Sequence, residues 1–324
     1  MAGAVKAKES ATKATGRAKK KDGFVAEFRR NKVMFAMLIP VTVYFLLNNY
    51  LPMAGIYLAF TKFNFVGGIF GSPFVGMENF KFLFSSGKLL KLTANTLSYN
   101  VMFILVDHVL QITFAIILSR LGSRIFTKFT QSVMFLPHFV SFVILNVIVY
   151  NIFNYEVGFL NGILTSLGQQ PFDAYNTPGA WRFILLALHV WKGVGYGTVV
   201  YLATITGIST ELYEAADIDG ANVFQQIRYI TLPLLVPTFI ILLLMSLGRI
   251  MRGQFDLFYQ TVGNVGTLYD VTDILDTFVY RSLRLEFDVG MGTAAGLYQS
   301  VFGFIVIMSA NAAIKKYQKD YALF

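Results

Sequence analysis

Lys192 stands within HVWKGVGYG, near the middle of an apolar run, and Arg249 and Arg252 stand three residues apart at the end of another. Ionisable side chains at membrane depth are costly to desolvate, which makes them functional candidates. With Gln254 and Asp256 just beyond, they can hydrogen-bond hydroxyls, and their positive charge suits carboxylates. Trp191, Tyr196 and Tyr259 offer flat faces on which a ring could stack. These eight residues form a candidate substrate path. Two readings compete with it: the cations pair with Asp107 or Asp256 and hold helices together, or Arg249 and Arg252 snorkel to an interface.

Other chemistries find weaker patterns. Asp107-His108 in an apolar run invites a proton relay, although such a dyad is more often a hydrogen-bonded packing feature. His138 and His189 have no carboxylate at ligand spacing, so no metal site is expected. Gly193, Gly195 and Gly197 superficially suggest a phosphate-binding loop, but no strand precedes them and no Lys-Ser/Thr follows. Close helix packing explains them better, as it does Gly290, Gly292 and Gly296. No Walker A pattern occurs and there are no cysteines, so neither ATP hydrolysis by this chain nor thiolate or disulfide chemistry is expected.

These residues need long apolar elements to position them. With 55% hydrophobic and 14% charged residues among 324, and a mean hydropathy of +0.58, the chain is too apolar for an ordinary soluble domain. Six stretches approach the roughly 20 apolar residues a spanning helix needs: 33–51, 95–119, 130–153, 181–207, 234–252 and 289–313. The first is longer than a signal h-region, without an evident cleavage site, and reads as a retained helix. Ten Lys/Arg precede it, Arg120, Arg124 and Lys128 follow the second, and Lys315, Lys316 and Lys319 follow the last, whereas 154–180 has none. Both termini are therefore expected in the cytoplasm. The net charge of +9 belongs mainly to that face, not to a nucleic-acid site.

Between the fourth and fifth stretches lies a polar insert, 209–233. Ser209 or Thr210 can cap a short helix carrying Glu211 and Glu214, Gly220 can end it, and a second helix can run from about Asn222 to Thr231. Pro233 and Pro237 fit the first turn of the next span. Glu214-Ala215-Ala216, then Gly220 after three intervening residues, then Ile230-x-Leu232-Pro233 after nine more, resemble the EAA loop of binding-protein-dependent ABC importer permeases. An amphipathic surface loop is the competing structural account. The resemblance implies an all-α polytopic membrane protein of six transmembrane helices with a cytoplasmic coupling loop. It assigns Glu214, Ala215, Ala216, Asp217, Gly220, Ile230, Leu232 and Pro233 to coupling with a separate ATPase, which would hold ATP and Mg; this chain would carry no cofactor. It also implies a second permease, favouring a related chain, two ATPase subunits and an extracytoplasmic sugar-binding protein.

The expected organisation is a basic cytoplasmic tail (1–32), the first span and an exterior loop (33–94), a five-helix core (95–313) and a cytoplasmic tail (314–324). RRNKVMFAMLIP at 29–40 and GRIMRGQFDLFYQ at 248–260 resemble the oligosaccharide and polysaccharide branch, including alginate importers. Loops 52–94 and 253–288 are the expected binding-protein dock. The resemblance places the chain in a bacterial plasma membrane as an importer subunit for a sugar. The alternatives are an autonomous ion-coupled carrier using Asp107 and Lys192, or a membrane enzyme acting on lipid-linked sugars.

Overall fold

The computed structural model describes residue 28 and residues 30–317. Expectations for residues 1–27, 29 and 318–324 lie outside the described residues. The described chain is almost entirely helical, with one isolated bridge between Thr61 and Phe74. It divides at Gly55/Ile56 into two compact units.

In the first unit, helix α1 (Lys32–Phe45) passes into a π turn (Leu46–Tyr50) two residues short of Pro52. A proline ring clashes with the carbonyl four residues back and supplies no N–H, so the turn before it widens. None of α1 is buried.

The second unit contains α2 (Glu78–Ser85), α3 (Lys88–Ser119), α4 (Arg124–Phe135), α5 (Phe142–Phe153), α6 (Phe159–Ser166) and α7 (Pro178–Thr206). Then come α8 (Thr210–Ile218), α9 (Val223–Gln226), α10 (Leu232–Leu247), α11 (Phe255–Val262), α12 (Leu275–Arg284) and α13 (Val289–Tyr317). Helix α3 supplies all three buried clusters. Leu89 and Leu92 join Leu83, Phe278 and Ala294; Tyr99 and Phe103 join Leu145, Trp181 and Leu257; Ala115 and Leu118 join Tyr201 and Leu235. Burial of such side chains drives the assembly, at about 1.5–3 kcal/mol each.

Five helices are long and apolar enough to cross a membrane, Lys32–Phe60, Lys88–Ser119, Pro178–Thr206, Val223–Leu247 and Val289–Lys316, and a bent pair makes a sixth if counted as one span. That pair corrects the expected third span. Arg124–Phe139 and Phe142–Phe153 meet at 93° rather than continuing. At Leu136–Phe139, which contains Pro137, the last turn tightens to a 3-10 helix, Val140 becomes extended, and the Ser141 hydroxyl caps α5 by accepting from the Ile144 N–H at 3.3 Å.

The fifth span also differs from expectation. Its helix begins at Val223 rather than near Leu234, because α9 runs through a π turn (Ile227–Thr231) straight into α10. The π turn again precedes a proline by two residues, here Pro233. It ends at Leu247, so Arg249 and Arg252 lie in the following turn and not on one helical face.

Close packing involves only some of the glycines. A Cβ on Gly195 would enter the Met134 backbone, one on Gly197 the Gln111 side chain, one on Gly290 the Thr61 carbonyl and one on Gly292 the Leu283 side chain. Gly193 and Gly296 face open space, against expectation.

Candidate substrate path and coupling loop

Lys192 reaches from α7 to the elbow between α4 and α5. Its ammonium donates to the carbonyls of His138 (2.9 Å), Pro137 (3.4 Å) and Val140, and lies 4.8 Å from the Phe142 ring centroid. A bent span leaves carbonyls without intrahelical donors, and a charged amine satisfies several at once. Lys192 therefore holds the elbow while also lining a cleft of about 430 Å³ with His138, Phe142, His189, Gln254 and Asp256.

A second cleft of about 290 Å³ shares His189, Gly253 and Gln254 with the first. Arg249, Arg252, Asn100 and Asp107 also line it. The turn carrying the arginines is pinned through its backbone. Asn100 Nδ2 donates to the carbonyls of Ile250 (2.9 Å) and Arg252 (3.3 Å), and Gln299 Nε2 to Met251 (2.6 Å). The Asp276 carboxylate accepts the Gly253 N–H at 2.5 Å and Gln299 at 3.1 Å. Burial raises the Asp276 pKa despite these hydrogen bonds. Among the described residues, no ion pair includes Lys192, Arg249 or Arg252.

Asp107 pairs instead with His189, Oδ2 to Nε2 at 2.9 Å, and the imidazole stacks on Phe103 at 3.9 Å and 8°. His189 thus has a carboxylate partner that sequence spacing did not reveal. His108, the neighbour in the expected dyad, turns away and meets the Tyr201 hydroxyl through Nδ1 at 2.9 Å. Among the described residues, no group of three or more His, Asp or Glu could hold a metal.

Five of the eight candidate path residues, Lys192, Arg249, Arg252, Gln254 and Asp256, come together around the two clefts. Trp191, Tyr196 and Tyr259 line neither. Trp191 is exposed, Tyr196 is exposed and stacks on His138 at 5.3 Å and 18°, and Tyr259 stacks on Phe255 at 5.1 Å and 11°. Sequence reasoning missed Asn100, Gln299 and Asp276, which position the arginine turn; the uncharged amides within apolar runs were the available signal.

In the coupling loop, Ser209 caps α8, and Gly220 follows with φ +78°. Asn222 and Gln225 close a reciprocal capping box, at 3.0 and 2.7 Å, that starts α9. Glu214, Ala215, Asp217, Gly220, Leu232 and Pro233 are exposed, while Ala216 and Ile230 are half-buried. Ile218 and Phe224 are 87% and 81% exposed, an apolar pair next to the acidic residues.

Residues 109–319 match the family of binding-protein-dependent transport system inner membrane components. The chain belongs to that family. Among its relatives is Protein LplB of Bacillus subtilis, 31% identical over 92% of this chain and 93% of that protein. The polygalacturonan/rhamnogalacturonan permease YteP of the same organism is 30% identical over 90% of each, and the trehalose/maltose permease MalF of Thermococcus litoralis is 30% identical over 87% and 92%. Among solved structures, a bacterial ABC transporter involved in import of the acidic polysaccharide alginate superposes with a TM-score of 0.83 at 29% identity, covering 92% of this chain and all of that one. This family member is thus a membrane-embedded transport permease with an all-helical ABC importer fold.

Proposed function

We propose that this permease is one of two membrane subunits of an ATP-driven importer that carries an anionic oligosaccharide inward. The observation that carries the cargo assignment is the convergence of Lys192, Arg249 and Arg252 around adjoining clefts, where none of the three forms a salt bridge among the described residues. Guanidinium groups pair with sugar carboxylates in bidentate geometry, and nearby Gln254 and Asn100 suit hydroxyls. Relatives whose names specify polygalacturonan/rhamnogalacturonan and alginate support that chemistry.

Glu214, Ala215, Ala216, Asp217 and Gly220, with Ile230, Leu232 and Pro233 behind them, form the surface that docks the ATPase, which holds ATP and Mg. Both termini and this loop face the cytoplasm, a topology supported by the distribution of basic residues. The five-helix core at 95–313 contains the path. On the opposite side, Phe65, Val66, Phe70 and Phe287 are 63–95% exposed and support docking of a sugar-binding protein, whereas Leu268, Ile274 and Phe278 are buried and belong to the core. A solved relative is an alginate transporter in complex with a pentasaccharide-bound periplasmic protein.

The test is to purify the tagged chain from native membranes, identify its companions and measure ATP hydrolysis with uronate and neutral oligosaccharides. Recovery of an ATPase and a second permease, with stimulation by uronate oligomers that is lost in Arg249→Ala, is the expected result. Stimulation by neutral oligomers alone removes the cargo assignment, and transport by the isolated chain under an ion gradient removes the ATP-driven reading.

A further inference from the structure

The end of α3 is fastened to both halves of the coupling loop through one residue, Arg120. It is the first residue beyond the helix and still has helical backbone angles. Its Nη1 donates to Gln226 Oε1 at 2.9 Å, and its guanidinium carbon lies 5.0 Å from the centroid of the Tyr213 ring. Tyr213 is on α8 and Gln226 on α9, so the guanidinium touches the outgoing and returning limbs together.

Gln226 is only 3% exposed, and both ends of its amide are used. The oxygen accepts from Arg120, while Nε2 donates to Asp217 Oδ1 and, at 3.5 Å, to the Ala221 carbonyl. This arrangement fixes the orientation of the amide and joins a cation on α3 to an anion on α8 through a nearly buried neutral group. Tyr213 is held in turn by a 3.0 Å hydrogen bond between its hydroxyl and Thr231, which is 2% exposed. A planar guanidinium can stack on the ring and donate to the amide simultaneously; an ammonium cannot reproduce both contacts.

We propose that Arg120 is a positioning residue for energy coupling: it makes α3 and the coupling loop one moving body. The proposal rests on the assignment of 209–233 as the ATPase dock. The loop is covalently continuous with α7 and α10, and Arg120 adds a non-covalent route into a third helix, α3. That route leads to the candidate path, because α3 also carries Asp107 and Asn100, which line the arginine cleft. Asp107 lies 13 residues before Arg120, a rise of about 20 Å along the helix.

The chain has no cysteine, so thiol labels can be placed in it at will. In the complete importer, Thr113→Cys on α3 and Tyr229→Cys on the returning limb, both exposed, would carry spin labels. Their separation is measured by pulsed electron resonance without nucleotide and after trapping with ATP and vanadate, alongside ATP hydrolysis. The expected result is the same separation in both states of the otherwise unaltered complex. In Arg120→Ala the separation changes on trapping while ATP hydrolysis persists, with Arg120→Lys giving an intermediate response; Gln226→Ala repeats the effect, and the double variant adds nothing further.

A separation that shifts between states with Arg120 in place overturns the proposal. So does an unchanged separation in Arg120→Ala and Gln226→Ala, the behaviour of an arginine that only anchors lipid headgroups or stabilises the fold. Failure of any ATPase to accompany the unaltered chain overturns the docking assignment beneath it, a result visible before any label is read.

Discussion

Substituting Gly195 by alanine tests the packing of α7 on α4 through a single methyl group. That methyl would come within 2.5 Å of the Met134 carbonyl carbon and closer still to its oxygen, whereas ordinary contact starts at 3.4 Å. The shortfall, 3.4 less 2.5, is about 0.9 Å, and both neighbours are backbone, which no rotamer change relieves. The helices must part by at least that amount, and overpacking of this kind costs about 1–3 kcal/mol. Gly193, one half-turn earlier on the same helix, has nothing within 4 Å of a built Cβ. There alanine gains up to about 1 kcal/mol of helix propensity. Thermal unfolding of the detergent-solubilised protein, followed by intrinsic fluorescence, should therefore separate the two variants: Gly195→Ala lower than the unaltered protein by about 2–6 °C, at roughly 2 °C per kcal/mol for a large chain, and Gly193→Ala equal or higher. Equal midpoints for the two variants, or a higher midpoint for Gly195→Ala, would refute the close approach.

Lys192→Met keeps the length of the side chain but leaves the elbow carbonyls without their charged donor; at about 1.5–3 kcal/mol for such a bond, the unfolding midpoint drops measurably and proteolysis near 137–141 rises. Gly220→Val places a β-branched residue at φ +78°, at a cost of order 1–3 kcal/mol, and should reduce ATPase recovery in co-purification without reducing membrane insertion. Glu214→Lys reverses an exposed charge in the docking surface and should abolish that recovery while leaving the unfolding midpoint unchanged. For Asp276, the folded carboxyl pKa is raised, so its stabilising contribution is complete below the unfolded value of about 3.9 and is lost as pH rises through the folded value. Asp276→Asn retains a carbonyl acceptor for the Gly253 N–H without the charge; midpoints recorded from about pH 4 upward should fall for the native protein relative to this variant, and an opposite slope would contradict the assignment.

Hydropathy is a local property, and the long helices could be read from it; side-chain partners distant along the chain could not. Ser209, Gly220 and Asn222 announced the two limbs of the coupling loop because caps act within three residues of themselves. The elbow was hidden because Pro137 and Ser141 sit within an apolar run whose average hydropathy hardly registers them. Pro233 does lie in the first turn of α10, as expected, whereas Pro237 lies inside that helix. What the prolines hid is that the π turn before Pro233 joins α9 to α10 without a break. The pairing of Asp107 with His189 joins residues 82 apart, and only the packing of α3 on α7 creates it. Arg249 and Arg252 were recognised as candidates by their charge, but their placement depends on Asn100 and Gln299 from two other helices.

The uninterrupted helix Val223–Leu247 has a mechanical consequence. Its 25 residues form a rod of about 37 Å at 1.5 Å each, with the coupling loop at one end and the arginine turn just past the other. A rod held along its length responds to a sideways push at one end by tilting about a fulcrum. The widened turn at Ile227–Thr231 lies near the pushed end, so it can absorb changes in the angle of attack while the longer arm stays straight. A small displacement delivered beside Phe224 is then passed to the turn of Arg249 and Arg252, which Asn100 and Gln299 tie to α3 and α13, so a push at one end of this helix loads those two helices at the other.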